Sequence, residues 1–330
     1  MEFALFCTKV NILILLLSLS APYKFIQSPM DFGPLNLHQA TKTASLDFGR
    51  ILFNSPSAVL RPQSPQDISL LLSFLSASSF SRVTVAARGA GHSVHGQAQA
   101  LDGIVIEMDS LPPSIEIHKK SEGEGELLSY ADVSGGALWI ELLRESLKLG
   151  LAPSGQTFKH GPQISNVLQL EVVTGKGELV TCSPTTNTEL FNAVLGGLGQ
   201  FGIITKARIL LQEAPEKVKW VRAFYDDFHT FTKDQEMLVS MPHLVDYVEG
   251  FIVLNEQSLH GSSIAFPAHM DFNPDFGTKA SPKIYYCIEF AVHDYNMKGT
   301  NVEQVVEDVS RQMSYMPLVY TVWRSPTLIS

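Results

Sequence analysis

The sequence predicts an α+β fold divided into two lobes. In the first lobe short apolar strands alternate with amphipathic helices, and in the second the order changes to strand, helix, strand, strand, helix. Between the two patterns lies Glu213–Glu216, a proline-containing segment that is typical of a domain boundary. A chain of 330 residues with 45% hydrophobic content is long enough to build two cores.

The first predicted helix begins with clear signals. Ser64 suits the N-cap, Pro65 suits the first helical position, and Asp67 places an acid in the first turn. Apolar side chains then recur at the spacing of one helix face, and we expect this stripe to be buried: Ile68, Leu71, Leu72 and Leu75.

A glycine-rich turn follows the next predicted strand. The strand, Arg82–Ala87, is apolar and β-branched, which is typical of a buried strand. The glycines of the turn, Arg88–Ser93, can adopt left-handed dihedrals and let a large ligand contact the backbone, beside the imidazole of His92. A flavin suits such a turn; the alternative is a plain glycine turn with a surface histidine.

The rest of the first lobe is predicted from caps and turns. Thr186–Glu189 has the capping-box pattern, and Gly150 stands where a helix C-cap belongs. A second glycine-rich turn, Gly196–Gly202, leads into a strand. The predicted elements are strands at Ile104–Ile106, Tyr130–Val133, Val167–Thr174, Glu178–Cys182 and Ile203–Leu211, and helices at Leu138–Leu149 and Thr186–Leu195.

The second lobe is predicted to contain three strands and two helices. A long loop rich in Gly, Pro, Ser and Asp, Ser258–Pro282, separates two of the strands. The last helix carries four valines on one face: Val302, Val305, Val306 and Val309. The predicted elements are strand Val218–Tyr225, helix Phe228–Ser240, strands Asp246–Leu254 and Ile284–Val292, and helix Val302–Met313.

Charge and cysteine usage narrow the classes of partner. A net charge of −9 and a pI near 5.6 argue against nucleic acid or an anionic membrane surface as a partner. The sequence has no Cys or His spacing typical of a metal site. Cys182 and Cys287 fall in different predicted lobes, and the sequence does not determine whether they pair.

The N-terminus predicts an export signal over residues 1–21. Lys9 precedes the apolar run Val10–Leu19, and small residues follow before Pro22. The run is too short to span a membrane, and a buried first strand is the alternative. We therefore expect a secreted protein, either extracellular or vacuolar.

Both glycine-rich turns resemble those of one family. Together Arg88–Ala98 and Gly196–Thr205 resemble the cytokinin dehydrogenases, plant flavoproteins of the vanillyl-alcohol-oxidase type. The resemblance implies a PCMH-type FAD-binding fold over residues 53–214 and an incomplete cytokinin-binding α+β domain over residues 217–330. Further segments that resemble the family are Leu138–Ile140, Gly150–Pro153, His160–Val167, Val173–Gly177, Phe231–Glu236 and Asp246–Gly250.

The same resemblance implies the cofactor contacts. His92 matches the position at which the family attaches FAD covalently, whereas His95, three residues on, does not. Glu249 matches a glutamate near the substrate entrance, although an ordinary strand carboxylate is the alternative. The other residues implied to lie along the flavin are Ala87, Gly89, Ala90, Gly91, Ser93 and Gln97, with Gly202 and Ile204 on its adenine side.

The resemblance also implies a reaction. The family oxidises the N6 side-chain amine of isoprenoid adenines to an imine, which water cleaves to adenine and an aldehyde. A quinone or oxygen then reoxidises the flavin. We therefore expect a monomeric enzyme that degrades cytokinins. A flavin oxidase of alcohols or sugars is disfavoured, because the second lobe also resembles the family.

The resemblance breaks between Pro153 and Ser154, and again at Ser330, beyond which family members continue. At the first position they carry a further segment, with an aspartate that acts as base and a loop that holds the FAD pyrophosphate. General-base assistance contributes roughly two to four orders of magnitude in rate, so we expect slow turnover. Among the residues near this junction, His160 is the one whose residue type normally titrates around neutral pH. The alternative is a relative that binds flavin or adenine ligands without efficient turnover.

Overall fold

A computed structural model describes most of the chain. The predicted export signal and the loop Ser258–Pro282 lie outside the described residues, as do residues 154–162 at the break in the family resemblance. The described ranges are 31–32, 35–77, 82–120, 128–153, 163–253, 284–295, 301–314 and 319–324.

Within these ranges the chain forms five α-helices and fifteen strands, most of them close to the predicted positions. The helices are α1 (Pro65–Ala77), α2 (Trp139–Leu147), α3 (Thr188–Val194), α4 (Phe228–Val239) and α5 (Val302–Ser310). The strands are β1 (Asp31–Phe32), β2 (Leu35–His38), β3 (Ala58–Leu60), β4 (Val85–Arg88), β5 (Ile104–Glu107), β6 (Ile115–His118), β7 (Tyr130–Ser134), β8 (Leu151–Pro153), β9 (Val167–Val173), β10 (Leu179–Cys182), β11 (Ile203–Glu213), β12 (Lys217–Tyr225), β13 (Tyr247–Val253), β14 (Tyr285–Asp294) and β15 (Val319–Arg324).

The chain divides into two compact units, each assembled from separate stretches of sequence. The first unit comprises Met1–Glu116, Asp132–Leu138 and Leu168–Arg208. The second comprises Ile117–Ala131, Trp139–Val167 and Ile209–Ser330. Helices and strands occur in both units, which confirms the α+β class.

The first unit contains a mixed five-stranded sheet in the order β1-β2-β3-β5-β4. Its strand β5 pairs in parallel with β3 on one side and with β4 on the other. Helix α1 contributes its apolar stripe to the core of this unit. The predicted stripe is confirmed, since all four of its members are buried: Ile68, Leu71, Leu72 and Leu75.

Strand β4, which leads into the first glycine-rich turn, differs from its prediction. It spans Val85–Arg88 rather than Arg82–Ala87, and it lies at one end of the sheet order. Among its four residues only Ala86 is buried. A strand with a single neighbour in the described sheet is less enclosed than a central strand, and an apolar sequence alone does not distinguish the two positions.

The predicted capping box before α3 is wrong. Asn187 is the N-cap, in the left-handed region at φ 50°, and makes no side-chain capping bond. Its amide instead donates to the Thr181 carbonyl at 2.8 Å. Thr186 lies one residue before the cap, in a tight turn in which it exchanges backbone hydrogen bonds with Ser183.

A second sheet has the order β10-β9-β11-β7-β6, with β8 paired to β11. The predicted hairpin of β9 and β10 is confirmed, and its turn contains Gly177 at φ +81°. Ser69 Oγ of α1 donates to the Gly177 carbonyl, and Ser73 Oγ donates to the Lys176 carbonyl. These two bonds fix the hairpin turn against α1.

The second unit contains an antiparallel sheet in the order β13-β14-β12-β15. Helices α4 and α5 contribute to one core with alternate residues of β12 and β14. The predicted valine face of α5 is buried at Val302, Val306 and Val309, and Val305 packs against it half-buried. Of the helices in the described ranges, none is long and apolar enough to cross a membrane.

Candidate functional site

The first glycine-rich turn leaves a run of backbone N–H groups without acceptors. Gly91 and Gly96 have φ of +76° and +74°, which are left-handed values that glycine adopts without steric cost. Across the described part of the chain, none of the six backbone N–H groups from Gly89 to Val94 has an acceptor. Consecutive unpaired N–H groups in such a turn form a cradle for negatively charged or hydrogen-bond-accepting ligand atoms.

Arg88 places a positive charge beside this cradle. A Cβ atom built on Gly91 would overlap the Arg88 guanidinium, so the side chain lies directly against the turn. At Gly89, in contrast, an added Cβ would meet no atom within 4 Å, so space is open on that side. A guanidinium, free N–H donors and open space together fit a large anionic ligand such as FAD.

His92 projects from the turn and is exposed to solvent. Its imidazole lies edge-to-face against Phe48, with ring centroids 5.5 Å apart and an interplanar angle of 72°. The next residue, Ser93, accepts the Phe48 N–H through its carbonyl at 2.9 Å. An exposed imidazole with a fixed backbone is available to a ligand that occupies the cradle.

The other residues predicted on this turn vary in exposure. Gly89, Ala90 and Gln97 are exposed, Ala87 and Ser93 are half-buried, and Gly91 is buried. Gln97 Oε1 accepts the N–H of His95 at 3.0 Å, while Ser93 Oγ accepts the N–H of Ala98 at 3.4 Å. These bonds hold the second half of the turn in shape, and sequence alone did not predict them.

Of the predicted adenine-side residues, Ile204 lies on β11 of the second sheet and Gly202 directly precedes that strand. A Cβ on Gly202 would overlap the Val172 side chain, so close packing between β9 and β11 already requires glycine there. Ile204 is half-buried on β11. Gly196 and Gly199 take left-handed φ of +69° and +75° in the turn before this strand. The structure thus gives Gly202 a packing role that is independent of any ligand.

Glu249 belongs to the second unit, on strand β13, and it is exposed. The Tyr247 hydroxyl donates to its Oε2 atom. Burial, followed by this hydrogen bond, raises the pKa of Tyr247, so its hydroxyl stays protonated and remains a donor. Glu249 therefore has a fixed carboxylate rather than a freely rotating one.

A row of charged side chains crosses the same sheet. Glu249 lies opposite Glu289 on β14, and Glu289 lies opposite Arg222 on β12. Arg222 donates to Glu289 Oε1 through Nε and Nη2, and the two side chains are only 5% and 4% exposed. Their neighbours Val221 and Phe290 point into the helix-covered core, so the row occupies the other face.

Arg222 and Glu289 were missed in the sequence. Glu289 interrupts an apolar stretch of β14, and that interruption was the available signal, because a charge inside such a strand is seldom buried without a partner. Strand β12 also carries Lys217 and Lys219, so its sequence did not single out Arg222.

The two cysteines of the described chain are free and buried. Burial raises the pKa of the Cys182 and Cys287 thiols, which disfavours their reactive thiolate forms.

Comparisons with known proteins match two successive stretches of the chain. Residues 56–183 match a family model described as FAD binding domain. Residues 215–323 match one described as Cytokinin dehydrogenase 1, FAD and cytokinin binding.

The fold resembles a glucooligosaccharide oxidase of Acremonium strictum, with a TM-score of 0.65 and 16% identity over 93% of this chain and 62% of that one. A VAO-type flavoprotein of Myceliophthora thermophila gives a TM-score of 0.57 and 16% identity, over 84% and 50%. The PCMH-type, VAO-like fold predicted from the sequence is therefore confirmed.

Curated relatives are much closer in sequence. Cytokinin dehydrogenase 3 of Oryza sativa subsp. japonica is 75% identical over 96% of this chain, and Cytokinin dehydrogenase 1 of Arabidopsis thaliana is 44% identical over 82%. The chain spans 63% of the length of the rice protein and 50% of the Arabidopsis protein. The rice alignment extends over 336 positions, more than the 330 residues present here, so that relative has internal residues without a counterpart in this chain. At this identity, and with an FAD-binding domain in its first half and a cytokinin-binding domain in its second, the chain belongs to the cytokinin dehydrogenase family.

Proposed function

We propose that this protein is an FAD-dependent cytokinin dehydrogenase, which oxidises the N6 side-chain amine of isoprenoid adenines. The observation that carries the proposal is the cradle at Gly89–Val94, whose unpaired N–H groups and adjacent Arg88 lie within the segment matched by the FAD-binding family model. Identity to the rice cytokinin dehydrogenase supports the substrate class. Since the chain spans 63% of that relative, the activity is to be measured on this chain itself.

We further propose that His92 holds the FAD covalently. The glucooligosaccharide oxidase of Acremonium strictum carries a 6-S-cysteinyl, 8α-N1-histidyl FAD, and an equivalent histidyl bond would use the exposed imidazole of His92. A neutral imidazole nitrogen is a competent nucleophile for such a bond. When bound, FAD supplies the two-electron acceptor that takes a hydride from the substrate carbon.

Other residues of the chain would hold the cofactor and contact the substrate. The N–H groups of Gly89–Val94 and the Arg88 guanidinium would hold the anionic cofactor and orient it. Glu249, fixed by Tyr247, presents a carboxylate that can accept an N–H from an adenine-type substrate. The buried pair of Arg222 and Glu289 holds β12 and β14 in register, and β14 in turn pairs with the strand that carries Glu249.

The proton balance of the reaction sets the expected rate. Oxidation of the carbon beside the amine gives an imine only when the N–H proton is removed as well. The rice relative has internal residues that this chain lacks, and the break after Pro153 is where a family segment with its basic aspartate is expected. We propose that water takes this proton slowly here, so that turnover is slow while ligand contacts persist.

Anaerobic stopped-flow bleaching of the flavin by isopentenyladenine tests the function. We expect bleaching that saturates with substrate at a rate roughly a hundredfold or more below that of an intact relative. Bleaching as fast as in the intact relative would show that slow removal of the N–H proton by water does not limit the rate. Bound flavin with no bleaching would show that the chain binds ligand without turnover, and absence of flavin would refute the proposal.

The remaining expectations concern the setting of the reaction. We propose export of the protein through residues 1–21, with a quinone or oxygen as electron acceptor and a monomeric state. Lys9 and the apolar run to Leu19 support export. A reporter fused after Pro22 should leave the cytosol; a reporter retained there would exclude the signal. Light scattering measures the mass in solution, and acceptor-dependent reoxidation rates distinguish quinone from oxygen.

A further inference from the structure

A short segment that precedes the FAD-binding family match contacts the first glycine-rich turn, which we call the flavin turn, through three successive residues. The Leu46 carbonyl accepts from Arg88 Nη1 at 2.8 Å, Asp47 Oδ2 accepts from the Gly96 N–H at 3.3 Å, and the Phe48 N–H donates to Ser93 O at 2.9 Å. When the turn is taken over the whole segment Arg88–Ala98, these contacts reach its beginning, its end and its middle. We call Leu46–Phe48 the clamp.

From this arrangement we infer that the clamp, and Phe48 in particular, positions His92 for its bond to the flavin. The inference rests on the proposed attachment of FAD to His92. The Phe48 N–H fixes the backbone directly after His92, and the Phe48 ring limits rotation of the imidazole through their edge-to-face contact. Both ends of the histidine are thereby restrained by one residue.

Stability alone does not account for the clamp. Phe48 is 68% exposed, so its ring gains little from burial, and the aromatic partner it has within the described ranges is His92. Asp47 is 4% exposed, and its Oδ1 atom is buried without a hydrogen-bond partner among the described residues. A buried carboxylate oxygen without a donor lowers stability, so the placement of Asp47 is not explained by a gain in stability.

The chemistry of attachment explains why orientation matters. The imidazole nitrogen forms a bond to the 8α-methyl carbon of the flavin, and each partner loses one proton. The two electrons released pass through the flavin to dioxygen, which becomes hydrogen peroxide. The rate of bond formation depends on the alignment of the nitrogen with the carbon, and a misplacement of about 1 Å can slow a reaction a hundredfold.

The test measures how fast flavin becomes acid-stable. Protein prepared without flavin is mixed with FAD in air, and samples are precipitated with acid over time to separate covalent from released flavin. We expect Phe48→Ala to attach flavin roughly ten- to hundredfold more slowly than the unmodified chain, while total FAD binding changes little. Phe48→Tyr, which keeps the ring, should restore most of the rate, whereas Phe48→Leu should not.

Ile51→Ala is the matched control, since Ile51 is 77% exposed and lies three residues further along without a ring contact to His92. Its attachment rate should equal that of the unmodified chain. Equal rates for Phe48→Ala and Ile51→Ala would overturn the inference and leave the proposed function standing. Absence of acid-stable flavin on the unmodified chain would refute the covalent bond to His92 and the inference with it. If Phe48→Ala does not fold, Phe48→Leu against Phe48→Tyr decides the question.

Discussion

Replacing Arg222 with Met should destabilise the second unit far more than an ordinary charge removal. The methionine approximates the length of the arginine side chain, but it leaves Glu289 buried without its cation and facing Glu249 across the strand pair. Breaking a buried ion pair from one side costs about 3–5 kcal/mol. The abandoned carboxylate can reduce this penalty only by binding a proton, so the loss should be smaller at pH 5 than at pH 8.

Urea unfolding followed by tryptophan fluorescence measures this loss directly. All three tryptophans, Trp139, Trp220 and Trp323, belong to the second unit. With a slope of about 2 kcal/mol per molar urea, a loss of about 4 kcal/mol lowers the midpoint by about 2 M. The spectral change therefore reports the unit that contains the substitution.

The matched control is Arg311→Met, which breaks ion pairs with Glu307 and Asp308, all between side chains that are at least 53% exposed. Exposed pairs contribute about 0–1 kcal/mol, so its midpoint should fall by no more than about 0.5 M. The double variant Arg222→Met with Glu289→Leu should recover much of the stability, because neither charge of the pair then remains buried without the other. If Arg222→Met lowered the urea midpoint by no more than Arg311→Met does, the pair of Arg222 and Glu289 would not behave as a buried ion pair.

Three further outcomes follow from the first unit. Gly177→Ala should lower stability by about 3 kcal/mol or more in thermal unfolding, since a Cβ at φ +81° would lie 2.6 Å from Ser73 N, whereas Gly175→Ala in the same turn meets nothing within 4 Å and should change little. His92→Ala should abolish acid-stable flavin, and retention of it would assign the bond to His95 instead. Gly202→Ala should reduce the melting temperature even in flavin-free protein, because its Cβ would overlap Val172; an effect confined to flavin-loaded protein would contradict the packing role.

The helices were the part of the fold best predicted from sequence. The stripe on α1 and the valines on α5 follow the helical period, and nearly all of their members are buried because local spacing decides which face meets a core. The hairpin of β9 and β10 was also predictable, since its glycine turn joins two runs rich in apolar and β-branched residues.

What the sequence did not predict depends on distant partners. The position of β4 at the end of its sheet is set by pairing with β5, and an apolar composition does not indicate which strands will pair. The capping box before α3 failed because the Thr186 N–H donates to Ser183 Oγ, a competing local side-chain bond of the kind that serine and threonine favour. At the site, the glycine turn was anticipated, whereas Phe48 and the charged row of Arg222 and Glu289 were not, because their partners lie more than forty residues away in sequence.

The clamp also ties the flavin turn to the order of folding. Its bonds join residues 42 and 49 positions apart, so a loop of that size must close before the turn is held. Such non-local contacts form late relative to helices and hairpins. A histidine oriented only after this closure would capture flavin on the completed first unit and not on a partly folded chain. Acid-stable yellow colour would then serve as a permanent record, molecule by molecule, that the unit had once reached its native topology.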